Sequence, residues 1–144
     1  MPTELVAPTI EQIAGIENFI LQFPQVEMPI ANEFCNGLYA RTMFIPAGTI
    51  LTGAVHRSDN FMLVRVGDII VISPDGGARL KTGEMHISKA GIKRLGYAVQ
   101  DTLITTFHAN PQNETDNCKL WDMYTVDLQD AIECADFNAI KGYL

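Results

Sequence analysis

With 144 residues the chain is long enough for one domain with a core of its own. At 47% hydrophobic and 19% charged it has the composition of a soluble globular protein, with no apolar run of membrane-spanning length and no basic-then-apolar leader. A net charge of −7 excludes nonspecific nucleic-acid binding through bulk charge, because an acidic surface repels phosphate.

Residues 1–8 read as an extended arm held open by Pro2 and Pro8. Thr9 is a helix N-cap, and Gln12 completes a capping box. Ile10, Ile13, Ile16, Ile20 and Phe23 follow at helical spacing, on a helix that Gly15 weakens and Pro24 ends. Such a helix either closes one end of a core or docks on a neighbouring subunit. Pro24 to Pro29 is a link. Short strands follow: Gly37 to Ile45, Thr49 to His56, Phe61 to Arg65, Ile69 to Ile72, Ala78 to Lys81, Met85 to Ser88, Ile92 to Ala98 and Thr102 to His108. Ser73-Pro74-Asp75-Gly76-Gly77 is the clearest turn, the tip of an antiparallel pair. His86, in alternation with Glu84, is expected to face outward. Ala109 to Lys119 reads as a loop, and Trp121, Met123, Tyr124 and Val126 as an apolar patch packed on the exterior. Asp127 would cap a short helix through Cys134, and Asp136 another ending near Gly142. The three cysteines, Cys35, Cys118 and Cys134, are odd in number and form no CxxC pair. They read as thiols of a reducing compartment, not as a disulfide or a zinc site.

No helical pattern interrupts the strands, so a parallel α/β sheet is excluded and a mainly β jelly roll is the natural closure. The organisation is one structural domain: an N-terminal arm and helix over 1–36, a β-barrel core over 37–108, and a C-terminal loop and helical extension over 109–144.

Two punctuated stretches lie inside the core. Gly48 is followed by five residues, Ala54-Val55-His56, three residues, Asn60, six residues and Gly67. Gly83 is followed by five residues, Lys89-Ala90-Gly91, two residues, Arg94, three residues and Ala98. This spacing resembles the two motifs of the cupin superfamily, and implies a cupin-like jelly-roll barrel. Gly48, Gly67 and Gly91 would serve tight turns at positive φ. In cupins two histidines and a glutamate of the first motif, with a histidine of the second, converge on one metal ion. Ala54, His56, Asn60 and Arg94 hold those places here. Alanine cannot ligate, Asn offers a neutral oxygen, and a guanidinium puts a positive charge where the cation would sit. The expectation is therefore no cofactor. The alternative, a divalent metal, would need His56, Asp59 and His108. A polar pocket of His56, Asn60, Arg94 and His108 would instead suit a carboxylate or phosphate. Against that stands an internal role, with Arg94 paired to Asp59 or Asp101.

Ala40-Arg41, Ile45-Pro46-Ala47-Gly48-Thr49, Leu51-Thr52-Gly53, Gly91-Ile92-Lys93-Arg94-Leu95-Gly96-Tyr97-Ala98 and Asp101-Thr102 resemble small cupin-like proteins of tailed bacteriophages. That group more often carries a second histidine near Asn60 and prolines before Gly91. The resemblance implies a viral protein in a bacterial host cytoplasm or the virion. Its expected mode is non-catalytic, through homo-oligomerisation as a dimer or higher and contact with virion or host proteins, with no nucleic acid and no membrane. The rivals are a small-molecule binder or cupin enzyme using the barrel pocket, and an inhibitor of a host defence factor.

Overall fold

The structure, a computed structural model, describes residues 7–126. Helix α1 spans Ile10–Ile20, with Thr9 and Gln12 forming the expected capping box: Thr9 Oγ1 accepts from the Gln12 amide (3.1 Å) and Gln12 Oε1 from the Thr9 amide (2.8 Å). Nine strands follow: β1 Ile30–Cys35, β2 Leu38–Ile45, β3 Ile50–Thr52, β4 Asn60–Val66, β5 Asp68–Ser73, β6 Gly76–Lys81, β7 Met85–Ser88, β8 Leu95–Ala98 and β9 Thr102–Ala109. Helix α2, Asn117–Tyr124, closes the described chain. All strand pairs are antiparallel, in a five-stranded sheet ordered β1-β2-β9-β4-β7 and a four-stranded sheet ordered β3-β8-β5-β6. The sheets face each other over Met43, Ile45, Leu51, Met62, Val64, Ile69, Val71, Leu80, Ala98 and Ile104. This is the expected mainly β jelly roll.

Several elements differ from the sequence expectation. Strand β1 went unread, although Asn36-Gly37, which joins it to β2, is the strongest short hairpin signal. Both residues have positive φ (45° and 79°), and Cys35 pairs directly with Leu38, as a type I′ turn requires. The strand expected over Thr49 to His56 is only β3, and His56 makes a single bridge to Thr125. Helix α2 starts inside the expected loop, because Asp116 caps it by accepting from the Lys119 amide (3.0 Å). The helices expected beyond Asp127, and Cys134, lie outside the described residues. Cys35 and Cys118 are exposed free thiols.

His86 does not face outward. On β7 the exposed residues are Met85 and Ile87, while His86 is half-buried and Ser88 buried, on the side shared with Met62. Gly48, Gly67 and Gly91 all have positive φ, and Gly67 is irreplaceable for a second reason: a Cβ there would lie 2.4 Å from Thr102 Oγ1 and 2.7 Å from the Asp101 carbonyl.

Helix α1 docks through Ile13, Ala14 and Glu17, while Ile16 and Phe23 of its expected apolar face stay exposed, as does Phe19. Glu17 is buried because its partner is buried. Lys93 Nζ lies 2.6 Å from Glu17 Oε1 and donates to the Gly53 carbonyl at 2.7 Å, and Thr52 Oγ1 donates to the same carboxylate. Lys93 is 0% exposed and Glu17 2%. Burial lowers the Lys93 pKa, while the Glu17 carboxylate opposes that shift. Desolvating two charges is costly, but removing one partner costs more, because the other remains buried and unpaired. Lys93→Met is expected to lower unfolding free energy by about 3–5 kcal/mol in urea titrations. The double variant Glu17→Leu/Lys93→Met should recover most of that loss. A single variant as stable as the parent would show that the Glu17 carboxylate escapes to solvent.

Candidate ligand-binding cavity

The inner face of the five-stranded sheet follows from alternation. Tyr39, Arg41, Met43 and Ile45 on β2 share one side, paired with His108, Thr106, Ile104 and Thr102 of β9. The Met43 and Ile45 end is sealed by the core. The Tyr39 and Arg41 end opens into a cavity of about 290 Å³. The segment after β3 contributes Ala54 and His56, β1 contributes Ile30 and Asn32, and α2 lies across with Leu120, Trp121 and Tyr124.

The wall is held from several directions. Tyr39 Oη donates to Asn32 Oδ1 (2.8 Å), and Asn32 Nδ2 donates to Asn117 Oδ1 (2.5 Å), tying β1 to the start of α2. Tyr124 Oη donates to the Ala109 carbonyl (2.5 Å), and the Arg57 and Val126 amides donate to the Tyr124 and Val55 carbonyls. The rings of His56 and His108 stack with centroids 5.6 Å apart, and Tyr124 lies 4.7 Å from His108 on centroids. Of the patch expected on the exterior, Trp121 and Tyr124 are thus cavity wall, because α2 lies across the open end of the barrel, whereas Met123 stays exposed.

Charge inside is one-sided. Among the described residues Arg41 has no hydrogen-bond or ion-pair partner, and none of those lining the cavity is a carboxylate. Burial depresses its pKa, yet a guanidinium stays protonated in proteins. Both imidazoles are held neutral. Burial, then the neighbouring His108, Arg94 and Arg41, push His56 down to about 3, and burial with Arg41 pushes His108 down to about 4. His108 Nε2 shares a hydrogen bond with Thr106 Oγ1 (2.9 Å), whereas His56 Nδ1 is buried with no partner.

Of the four residues expected at a pocket, the structure brings His56 and His108 to this cavity and leaves Asn60 and Arg94 off its lining. Asn60 is buried at the start of β4, with both side-chain polar atoms unpaired. Arg94 is half-buried and donates to the Lys89 and Ile92 carbonyls at 3.3 and 3.4 Å. It pairs with neither expected carboxylate: Asp59 accepts from the Ala90 amide (2.8 Å) and faces Lys89, and Asp101 accepts from the Ala47 amide (2.8 Å). The fully buried cation is its neighbour, Lys93. Asp59 is also away from the cavity, so His56, Asp59 and His108 do not assemble. Among the described residues no group of three or more His, Cys, Asp or Glu could hold a metal ion. Arg41 was not picked out as a site residue. The alternation Tyr39-x-Arg41-x-Met43-x-Ile45, with three residues suited to a core, was the signal that placed it inward.

Neutral buried histidines set a pH dependence. Unfolded, each imidazole takes its proton near pH 6.5. Folded, neither does so until about pH 4 or below. The unfolded chain therefore binds more protons between these limits, and stability falls as pH drops through that window. The slope should approach about 1.4 kcal/mol per pH unit for each imidazole. Melting measured from pH 7.5 to 4 should show it, and His56→Gln/His108→Gln should flatten it; an unchanged slope in that variant would refute the assignment.

No family model matches the chain, and no curated protein matches it. Solved structures do. KdgF from a Halomonas species is similar over 67% of this chain and 87% of its own, at 17% identity and a TM-score of 0.51. The cupin domain of Schizosaccharomyces pombe Cnp3 is similar over 61% of this chain and 64% of its own, at 16% identity and a TM-score of 0.51. A salicylate 1,2-dioxygenase from Pseudaminobacter salicylatoxidans is similar over 77% of this chain but 34% of its own, at 14% identity and a TM-score of 0.55. Likeness at these identities concerns the fold alone. The two facing antiparallel sheets of this chain therefore form a jelly roll of the cupin type.

Proposed function

We propose that this protein binds a small anion in the cavity between the sheet and α2, without catalysis. One observation carries the reading: Arg41 presents a permanent positive charge to a cavity that has no carboxylate and no hydrogen-bond partner for it among the described residues. An uncompensated guanidinium in such surroundings is costly, and a ligand that brings the counter-charge removes the cost. The metal that the cupin fold implies does not fit these residues. Among the described residues His56 and His108 would be its only imidazole donors and no carboxylate joins them, and Arg41 lies close enough to bias both.

The test is a melting assay of the protein with simple carboxylates and inorganic phosphate. Stabilisation should saturate and grow as the logarithm of ligand concentration over affinity. Arg41→Met should abolish it, while leaving the empty protein at least as stable, since a half-buried charge with no partner among the described residues is removed. Elemental analysis should find no stoichiometric transition metal. No anion response, or the same response in Arg41→Met, would defeat the reading.

The outer face of the five-stranded sheet supports a second reading, in which the chain is a phage protein acting by self-association and contact, as a virion component or against a host defence factor. Phe61 pairs with Ile87 and Phe107, and Leu63 with Met85, so these apolar residues form one continuous face. Phe61 is 47% exposed, Ile87 49% and Met85 59%. A contiguous apolar face of this kind suits a two-fold, self-complementary contact with a second copy. Light scattering at micromolar concentration should report a dimer, and Phe61→Lys/Ile87→Lys a monomer. A parent protein that is itself monomeric would remove this reading.

A further inference from the structure

We infer that the cavity is built for a planar aromatic monocarboxylate, with its carboxylate on Arg41 and its ring against the aromatic wall formed by Tyr39, Trp121 and Tyr124. This rests on the anion-binding reading and names the ligand class. The charge count comes first. Among the described residues Arg41 is the only charged side chain lining the cavity, so one negative charge is matched there and a second would be left uncompensated. The planar fork of a guanidinium pairs with a carboxylate through two parallel hydrogen bonds, a geometry in which both partners are flat.

The supply of other donors comes second. The Tyr39 and Tyr124 hydroxyls, the Asn32 amide and His108 Nε2 are already engaged within the wall. A sugar, a polyol or a phosphate ester would find few groups free to meet its oxygens. The buried, unpartnered His56 Nδ1 leaves room for one more polar contact, beside the carboxylate. Beside Asn117, Cys118 and Thr125, whose hydroxyl donates to the Trp121 carbonyl, the remaining lining is apolar, with Ile30, Ala54 and Leu120 around the aromatic residues. Flat π-faces there favour a ring over a flexible chain, whose ordering would cost entropy. The volume, about 290 Å³, equals roughly ten water molecules and admits one substituted ring.

Trp121 is the single tryptophan of the chain and lines this cavity, so its fluorescence reads the site directly. The protein is titrated with benzoate and phenylacetate, and in parallel with hexanoate, inorganic phosphate and the neutral benzamide. The inference expects both aromatic carboxylates to change Trp121 emission saturably and to raise the melting temperature. Hexanoate and phosphate should bind at least about tenfold more weakly, and benzamide about 10- to 100-fold more weakly, the loss of one charge-assisted contact. Arg41→Lys, which keeps the charge but not the fork, should weaken benzoate at least about tenfold. Hexanoate or phosphate binding as tightly as benzoate, with dependence on Arg41 intact, would overturn the aromatic class and leave the anion site standing. Benzamide binding as tightly as benzoate, or benzoate binding unaltered in Arg41→Lys and Arg41→Met, would overturn both.

Discussion

The ion pair of Glu17 and Lys93 is the contact through which the open end of this barrel is assembled. It joins the first helix to the segment entering β8, and the Lys93 ammonium also takes the Gly53 carbonyl just after β3. The next residues, Ala54 and Val55, pack with Ala14 of the same helix, and Ile10, Leu21, Trp121 and Val126 close around them. His56 follows at once. Its bridge to Thr125, and the bond from the Val126 amide to Val55, bring in the end of α2. The cavity is therefore not only a property of the sheets. Two of its walls, the segment after β3 and α2, are tied to one buried charge pair and the small apolar cluster beside it.

The interior treats its two deep cations differently, and that contrast carries the functional argument. Lys93 meets a carboxylate, a carbonyl and a hydroxyl-bearing neighbourhood, so its charge is answered within the chain. Arg41, on the opposite sheet, is answered by nothing among the described residues, although the chain as a whole carries seven more acidic than basic side chains. Acidic groups of the described residues sit elsewhere: Asp68 binds Arg79 in a two-pronged pair, Asp59 faces Lys89, and Asp101 holds the Ala47 amide.

The cupin-type jelly roll here carries different side chains at the positions that the motif spacing marks. The motif-one position that alanine occupies lies on the cavity wall, where a methyl group leaves space that an imidazole would fill. The motif-two position holds Arg94, whose guanidinium is turned to the carbonyls of its own loop. The positive charge inside the cup comes instead from β2, outside either motif. Such relocation is physically simple, since every second residue of an inner strand faces the same space, and any of them can supply the functional group.

What could be read from residues alone was local or periodic. The Thr9 and Gln12 capping box, the glycine turns, the Ser73–Gly77 tip and most of the strand succession depend on neighbours in the chain, and they appear where the sequence places them, apart from β1 and the short β3. The Asn36-Gly37 hairpin and the inward alternation of Arg41 were equally local, and were legible though not used. Other features depend on contacts between distant segments. Glu17 and Lys93 are 76 residues apart, and nothing near either one marks it as buried. Whether Arg94 or Lys93 enters the interior turns on the path of a single loop into β8. Whether Trp121 packs outside the barrel or closes its mouth turns on where α2 lies against β1 and the His56 segment. Periodicity assigns a residue to a face, but only the folded chain decides what that face meets, because desolvation and charge pairing are set by neighbours in space.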